Sequence, residues 1–229
     1  MKRRGTLAES SVQLRMNEGA MSIGDKIDRA ARLGQRLEDL VFNQVKDSGF
    51  LIRTERDDLL ILYWSLIFDY AKGITCLLQN GFHSAAFALL RPTIEALVRS
   101  HVVLMGSDGD VLKIRQDKYK VKYEKVGAQL DKAFGTSPLL GNYLKKAQPL
   151  LHSLTHSGKA QLSNRFDSDG VGASFSGRKI EGLIGNSASA VFLVTIRVAG
   201  HFDFDEQVRE ANRIWLEYGS EAVATSATR

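Results

Sequence analysis

Arg91, Glu95 and Arg99 are the only full charges between Phe82 and Met105, in a stretch reading FHSAAFALLRPTIEALVRSHVVLM. On a helix, the spacing i, i+4, i+8 places them within a stripe about 80° wide. Two guanidiniums flanking one carboxylate could bind a phosphate, or stabilise negative charge developing on one. Further along, His152 and His156 stand four residues apart and share a helix face with Lys159 and Ser163. A histidine there could serve as acid or base on a phosphodiester held by Arg91 or Arg99. The candidate catalytic set is therefore His156, Arg91 and Glu95. Arg99, His152, Asp69 and Lys159 are the candidate ligand-binding residues.

A purely structural reading competes with this one. Arg91–Glu95 and Glu95–Arg99 are i,i+4 ion pairs, each worth a few tenths of a kcal/mol on an exposed helix, and Glu95–Arg99 has the better orientation. If so apolar a helix is buried, its charges must form a network, and losing one partner would cost several kcal/mol. The histidines would then be polar-face residues or a hydrogen-bonded core pair.

Other chemistries are weaker or excluded. Two histidines at i, i+4 are half a metal site, but there is no His-Glu-x-x-His and only one cysteine, Cys76. Completing the site would require Glu95 or Asp69, so no metal and no cofactor is expected. Gly172 to Lys179 (GASFSGRK) approaches a phosphate-binding loop. However, Arg178 takes the lysine position, Lys179 takes the Ser/Thr position that holds Mg²⁺, and no strand precedes it. No G-x-S-x-G elbow is present either.

The elements that must position these residues are helical. Phe82 to Met105 lacks the scattered Lys and Glu of a surface helix and reads as a central one. Leu59 to Leu78 is nearly all apolar, with Thr54 as N-cap and Asp57 at N3. Gln79-Asn80-Gly81 makes the turn between them, with Gly81 suited to a left-handed C′ position, so the two helices form an antiparallel hairpin. Folding it about Asn80 and Gly81 sets Asp69 level with Pro92, within reach of Arg91. Pro92 should kink its helix beside the charged stripe.

Ser22, with Asp25 three residues on, opens an earlier helix that ends near Asp47. Asp110 to Phe134 reads as one helix carrying Lys113, Arg115, Lys118, Lys120, Lys122 and Lys125 with Tyr119 and Tyr123 interleaved. Such a pattern could track a phosphate backbone, although Asp117, Glu124 and Asp131 favour a solvated outer face. Ser137-Pro138 starts a helix, Pro149 starts or kinks another, and Asp167 to Gly177 forms a glycine- and serine-rich loop. Ile180 to Phe202 is a helix rich in small residues, and Asp203 and Asp205 cap a last amphipathic one.

The chain has 229 residues, 44% hydrophobic and 25% charged, with 20 glycines and 3 prolines. These values suit a single all-α domain: about seven helices bundled around the central hairpin, spanning residues 21–220. Residues 1–20 read as a disordered tail and 221–229 as a frayed end. With one cysteine there is no disulfide framework, and a cytoplasmic location is the simplest expectation. The longest uninterrupted apolar runs, Leu59 to Phe68 and Ala188 to Ile196, are shorter than the roughly 20 residues a bilayer needs, so no membrane partner is expected. A net charge of +5 and a pI near 9.3 are compatible with anionic ligands or RNA. A self-complementary homodimer suits such a bundle, but nothing in the sequence fixes its interface.

YWSLIFDYAKGITCLLQNGFHSAAFALLRPTIEALVRS, followed by LHSLTHSGKAQLSNRF, resembles a family of uncharacterised bacterial helical proteins. The resemblance is carried by Arg91, Pro92, Glu95, Thr155, His156 and Gly158. It implies an all-helical domain and no established activity. More distantly, the architecture is similar to HEPN domains, many of which are metal-independent ribonucleases. Their hallmark is an arginine followed, after four to six residues, by a histidine on the same helix. Here Arg99 and His101 are too close, Arg91 and His101 too far apart, and Arg197 and His201 one residue short. The two function classes carried forward are therefore an anion- or RNA-binding protein, with HEPN-like cleavage as its catalytic form, and a non-enzymatic helical scaffold.

Overall fold

The computed structural model describes residues 21–47, 54–134, 139–155, 166–167, 170–171 and 175–227. Eight helices lie within them: α1 (Ile23–Asp47), α2 (Glu55–Gln79), α3 (His83–Met105), α4 (Asp108–Arg115), α5 (Tyr123–Phe134), α6 (Leu139–Thr155), α7 (Gly177–His201) and α8 (Asp205–Ala227). The expected all-α fold is what forms. One departure is a minimal antiparallel pair, β1 (Phe166–Asp167) with β2 (Gly170–Val171), in the stretch expected to be loop from Asp167 onward.

Local chemistry explains most of the boundaries. Ser22 and Asp25 form a reciprocal cap: the Asp25 amide donates to the Ser22 hydroxyl at 3.1 Å and the Ser22 amide to the Asp25 carboxylate at 3.3 Å. Thr54 and Asp57 repeat that pattern at the start of α2. At the α2–α3 turn, Gly81 takes φ 76°, its amide donates to Leu78 O and the Phe82 amide to Leu77 O, a complete Schellman closure. α3 continues through Pro92, and the Thr93 hydroxyl donates to Leu89 O at 2.7 Å beside it.

The central layer consists of the α2–α3 hairpin and α7, which packs on both its arms. Ile67, Ile74, Val98, Val103, Leu183 and Val194 fill the space between them and are fully buried. Burying each such side chain contributes about 1.5–3 kcal/mol. α1 and α8 pack on α7 and on each other at one flank, with α1 also against α2. On the other flank, α4, α5 and α6 pack against α3. The two flanks differ in what they cover: the second lies over the charged stripe.

The basic segment expected as one helix is broken. α4 ends at Arg115 and α5 begins at Tyr123, with non-helical backbone at 118–122. Asp117 causes the break by taking φ 52° in the C′ position. Its amide donates to Ile114 O at 3.0 Å and the Lys118 amide to Lys113 O at 2.8 Å, another Schellman closure. Asp203, at φ 57°, closes α7 in the same way through the Phe204 amide and Ala199 O.

α2 and α7 are long and apolar enough to cross a membrane by length and composition. The expectation drawn from uninterrupted apolar runs overlooked this, because single polar residues break those runs without lowering the mean hydropathy much. α7 buries 61% of its most apolar window inside the bundle, as a core helix does, and α2 buries 28%.

Candidate functional site

Arg91, Glu95 and Arg99 face the α5–α6 flank and are half-buried, with side chains 26%, 30% and 22% exposed. The Arg91 Nε donates to Glu95 Oε1 at 2.7 Å, and its Nη1 lies 3.0 Å from Nδ1 of His152 on α6. The Tyr123 hydroxyl, at the start of α5, donates to the same Glu95 oxygen at 3.2 Å. Three helices thus converge on one ion pair. The pair that forms is Arg91–Glu95, not the better-oriented Glu95–Arg99. Tyr123 and Arg91 occupy the carboxylate from one side, while Arg99 turns to Asp117 at 3.4 Å and to the Tyr63 hydroxyl.

The electrostatics follow from half-burial. Burial, then the Glu95 charge and hydrogen bond, push the Tyr123 phenol up to about 12 against the opposing pull of Arg91 and Arg99. Burial also raises Tyr63, opposed by Arg99, and raises Tyr119, helped by Asp110. All three phenols therefore remain protonated donors at neutral pH. Because a guanidinium only donates, the Arg91–His152 bond makes Nδ1 the acceptor and leaves the ring proton on Nε2.

Asp69 does not join this group. It is exposed, in the outward row of α2 with Leu62, Ser65, Lys72 and Cys76, and no hydrogen bond or ion pair links it to Arg91. An exposed position on the outward row leaves a short side chain out of reach of the stripe on the facing helix. His156 and Lys159 lie outside the described residues, as do Ser163 and the proline at 138. Of the two candidate histidines, His152 is the one seen against Arg91. Among the described residues, no three His, Cys, Asp or Glu side chains group as a metal site.

A second polar cluster lies where α2 begins and α7 ends. His201 Nε2 donates to Asp57 Oδ1 at 2.7 Å, while Asp57 Oδ2 accepts the Thr54 amide at 2.9 Å. These residues, with Glu55, Arg56, Asp108 and Leu112, line a cleft of about 410 Å³. Arg56 is tied to Val103 O and Asp108, and Arg115 to Glu55. Arg197, one turn before His201, bonds His101 on α3 at 3.2 Å, so the two residues nearest the HEPN spacing serve different partners. Burial, then Arg197, lowers the His101 imidazole to about 4. Sequence reading missed the Asp57–His201 pair because Asp57 is already explained as a cap, and a separation of 144 positions gives no signal.

No curated protein and no solved structure matches the chain. A family model does match, over residues 64–219, a span that holds Arg91, Glu95, Arg99, Tyr123 and His152 but not Asp57. On that match the chain belongs to the family of unknown function DUF6988.

Proposed function

We propose that this protein binds a phosphate-bearing ligand at the α3 stripe, with Arg91 and Arg99 as the anion ligands. The observation that carries the reading is the partial exposure of both arginine side chains, 26% and 22%, within an otherwise apolar helix. A stripe serving only to hold the core together would be sealed. Here each arginine has a carboxylate partner that an incoming anion can replace, and protonated phenols beside it to donate further bonds. Glu95 and Asp117 hold the guanidiniums in place until then.

The geometry favours binding over cleavage. His152 accepts from Arg91 through Nδ1. It can take a proton through Nδ1 only after Arg91 lets go. HEPN-like cleavage would therefore follow ligand entry and is the catalytic extension of the same site. The scaffold reading predicts several kcal/mol of lost stability on removing one partner. The Arg99–Asp117 pair, with its carboxylate side chain 91% exposed, is worth about 0–1 kcal/mol.

Titration calorimetry with inorganic pyrophosphate, with urea unfolding of the same samples, tests the reading. Arg91→Ala and Arg99→Ala should each weaken binding about tenfold or more, while Arg99→Ala shifts stability by under about 1 kcal/mol. Unchanged affinity in both variants would remove the proposed site. No binding by the wild type, with several kcal/mol of stability lost in the variants, would establish the scaffold role instead.

A further inference from the structure

Between α4 and α5 the chain abandons the helix and burial alternates residue by residue. Lys118, Lys120 and Lys122 are exposed, while Tyr119 and Val121 turn half inward. Alternating exposure over this non-helical backbone puts the three lysines along one edge, their Cα atoms about 6.6 Å apart where the chain is extended. A helix over the same residues would have turned Lys120 to the face opposite Lys118 and Lys122.

The carboxylates nearby are engaged elsewhere. Asp117 is on Arg99, Asp110 on Lys113 and Ser107, Glu124 on Lys145, and Glu55 on Arg115. No ion pair is made by the three lysines among the described residues. Asp117, bonded to Arg99, directly precedes Lys118, so the row runs up to the anion site.

From this row we infer that the phosphate-bearing ligand is a single-stranded polynucleotide, its backbone tracked by Lys118, Lys120 and Lys122 into the Arg99–Arg91 site. The inference rests on the anion-binding reading above and adds the ligand class. A mononucleotide would engage the two arginines and leave the lysines unused. A flexible single strand can place successive phosphates along an extended basic edge, whereas a duplex holds its phosphates on a rigid cylinder.

The test compares pyrophosphate, a 12-nucleotide oligouridylate, a 12-base-pair duplex and phosphatidylserine vesicles on the full chain. The wild type and the triple variant Lys118→Gln, Lys120→Gln, Lys122→Gln are each measured across a salt series. The wild type should bind the oligouridylate at least about tenfold more tightly than either pyrophosphate or the duplex. The triple variant should lose that advantage, with its salt slope shallower by about 2, and keep its pyrophosphate affinity. Equal affinity for pyrophosphate and oligouridylate, with no effect of the triple variant, overturns the ligand class and leaves the anion site standing. Equal binding of duplex overturns the single-strand assignment, and vesicle binding in place of oligonucleotide binding, lost in the variant, reassigns the row to a membrane surface. Absence of pyrophosphate and oligouridylate binding removes both readings.

Discussion

His101 is the residue whose ionisation the fold most resists. It is buried, its Nδ1 accepts from Arg197, and its Nε2 has no hydrogen-bond partner among the described residues. Its imidazole is lowered from 6.5 to about 4, first by burial and then by the Arg197 charge. Between those values the unfolded chain takes up a proton that the folded chain does not, so this residue's contribution falls as pH drops from 6.5 towards 4. The full loss approaches about 3 kcal/mol. Urea unfolding at pH 7 and pH 4.5 should show a smaller acid-induced drop for His101→Asn than for the wild type. An equal drop would mean that the ring protonates in the folded state at no cost.

At the scale of elements, the helix ends decide where chemistry is presented. Three Schellman closures use Gly81, Asp117 and Asp203 at the left-handed position. An L residue there is disfavoured by about 1–2 kcal/mol. Asp117 offsets this only through a 3.4 Å pair on a side chain that is 91% exposed, worth a few tenths of a kcal/mol. Asp117→Gly should therefore raise the melting midpoint and, by unmasking Arg99, tighten pyrophosphate binding. A lowered midpoint would show that the Arg99 pair outweighs the backbone conformation. Where α5 crosses α6, a Cβ on Gly127 would collide with the backbone of Gly141. Gly127→Ala should cost about 1–3 kcal/mol and carry Tyr123 away from Glu95 and His152 away from Arg91. Gly182→Ala on α7 meets open space and should be neutral or mildly stabilising.

The same closures explain what the sequence revealed. Thr54 with Asp57, Ser22 with Asp25, and Asn80-Gly81 are local signals, and each of those boundaries was readable. The stripe at Arg91, Glu95 and Arg99 was readable from its spacing as well. Asp117 was not, because aspartate at C′ looks like any other surface carboxylate, so a broken segment read as one continuous helix. Nor was the choice of ion pair readable: it depends on Tyr123 arriving from another helix. His152 and His156 were equivalent by spacing, and only packing of α6 on α3 sets His152 against Arg91.

For the whole molecule, the family match starts inside α2, yet α1 is part of the core. Leu37 and Val41 are fully buried and Ile27 and Leu33 nearly so, all packed in the same cluster as α7. A chain beginning at Thr54 should lose cooperative thermal unfolding and aggregate, because removing α1 uncovers α7, the most apolar helix of the bundle. A sharp melt from that shortened chain would show that α1 is dispensable.

The carboxylate at position 57 fastens the first turn of one central rod with one oxygen and the last turn of another with its second. Neither rod end can therefore fray alone: a disturbance that rotates this single group releases both. Amide exchange at the start of α2 and at the end of α7 should rise and fall in step, although more than half of the chain separates the two.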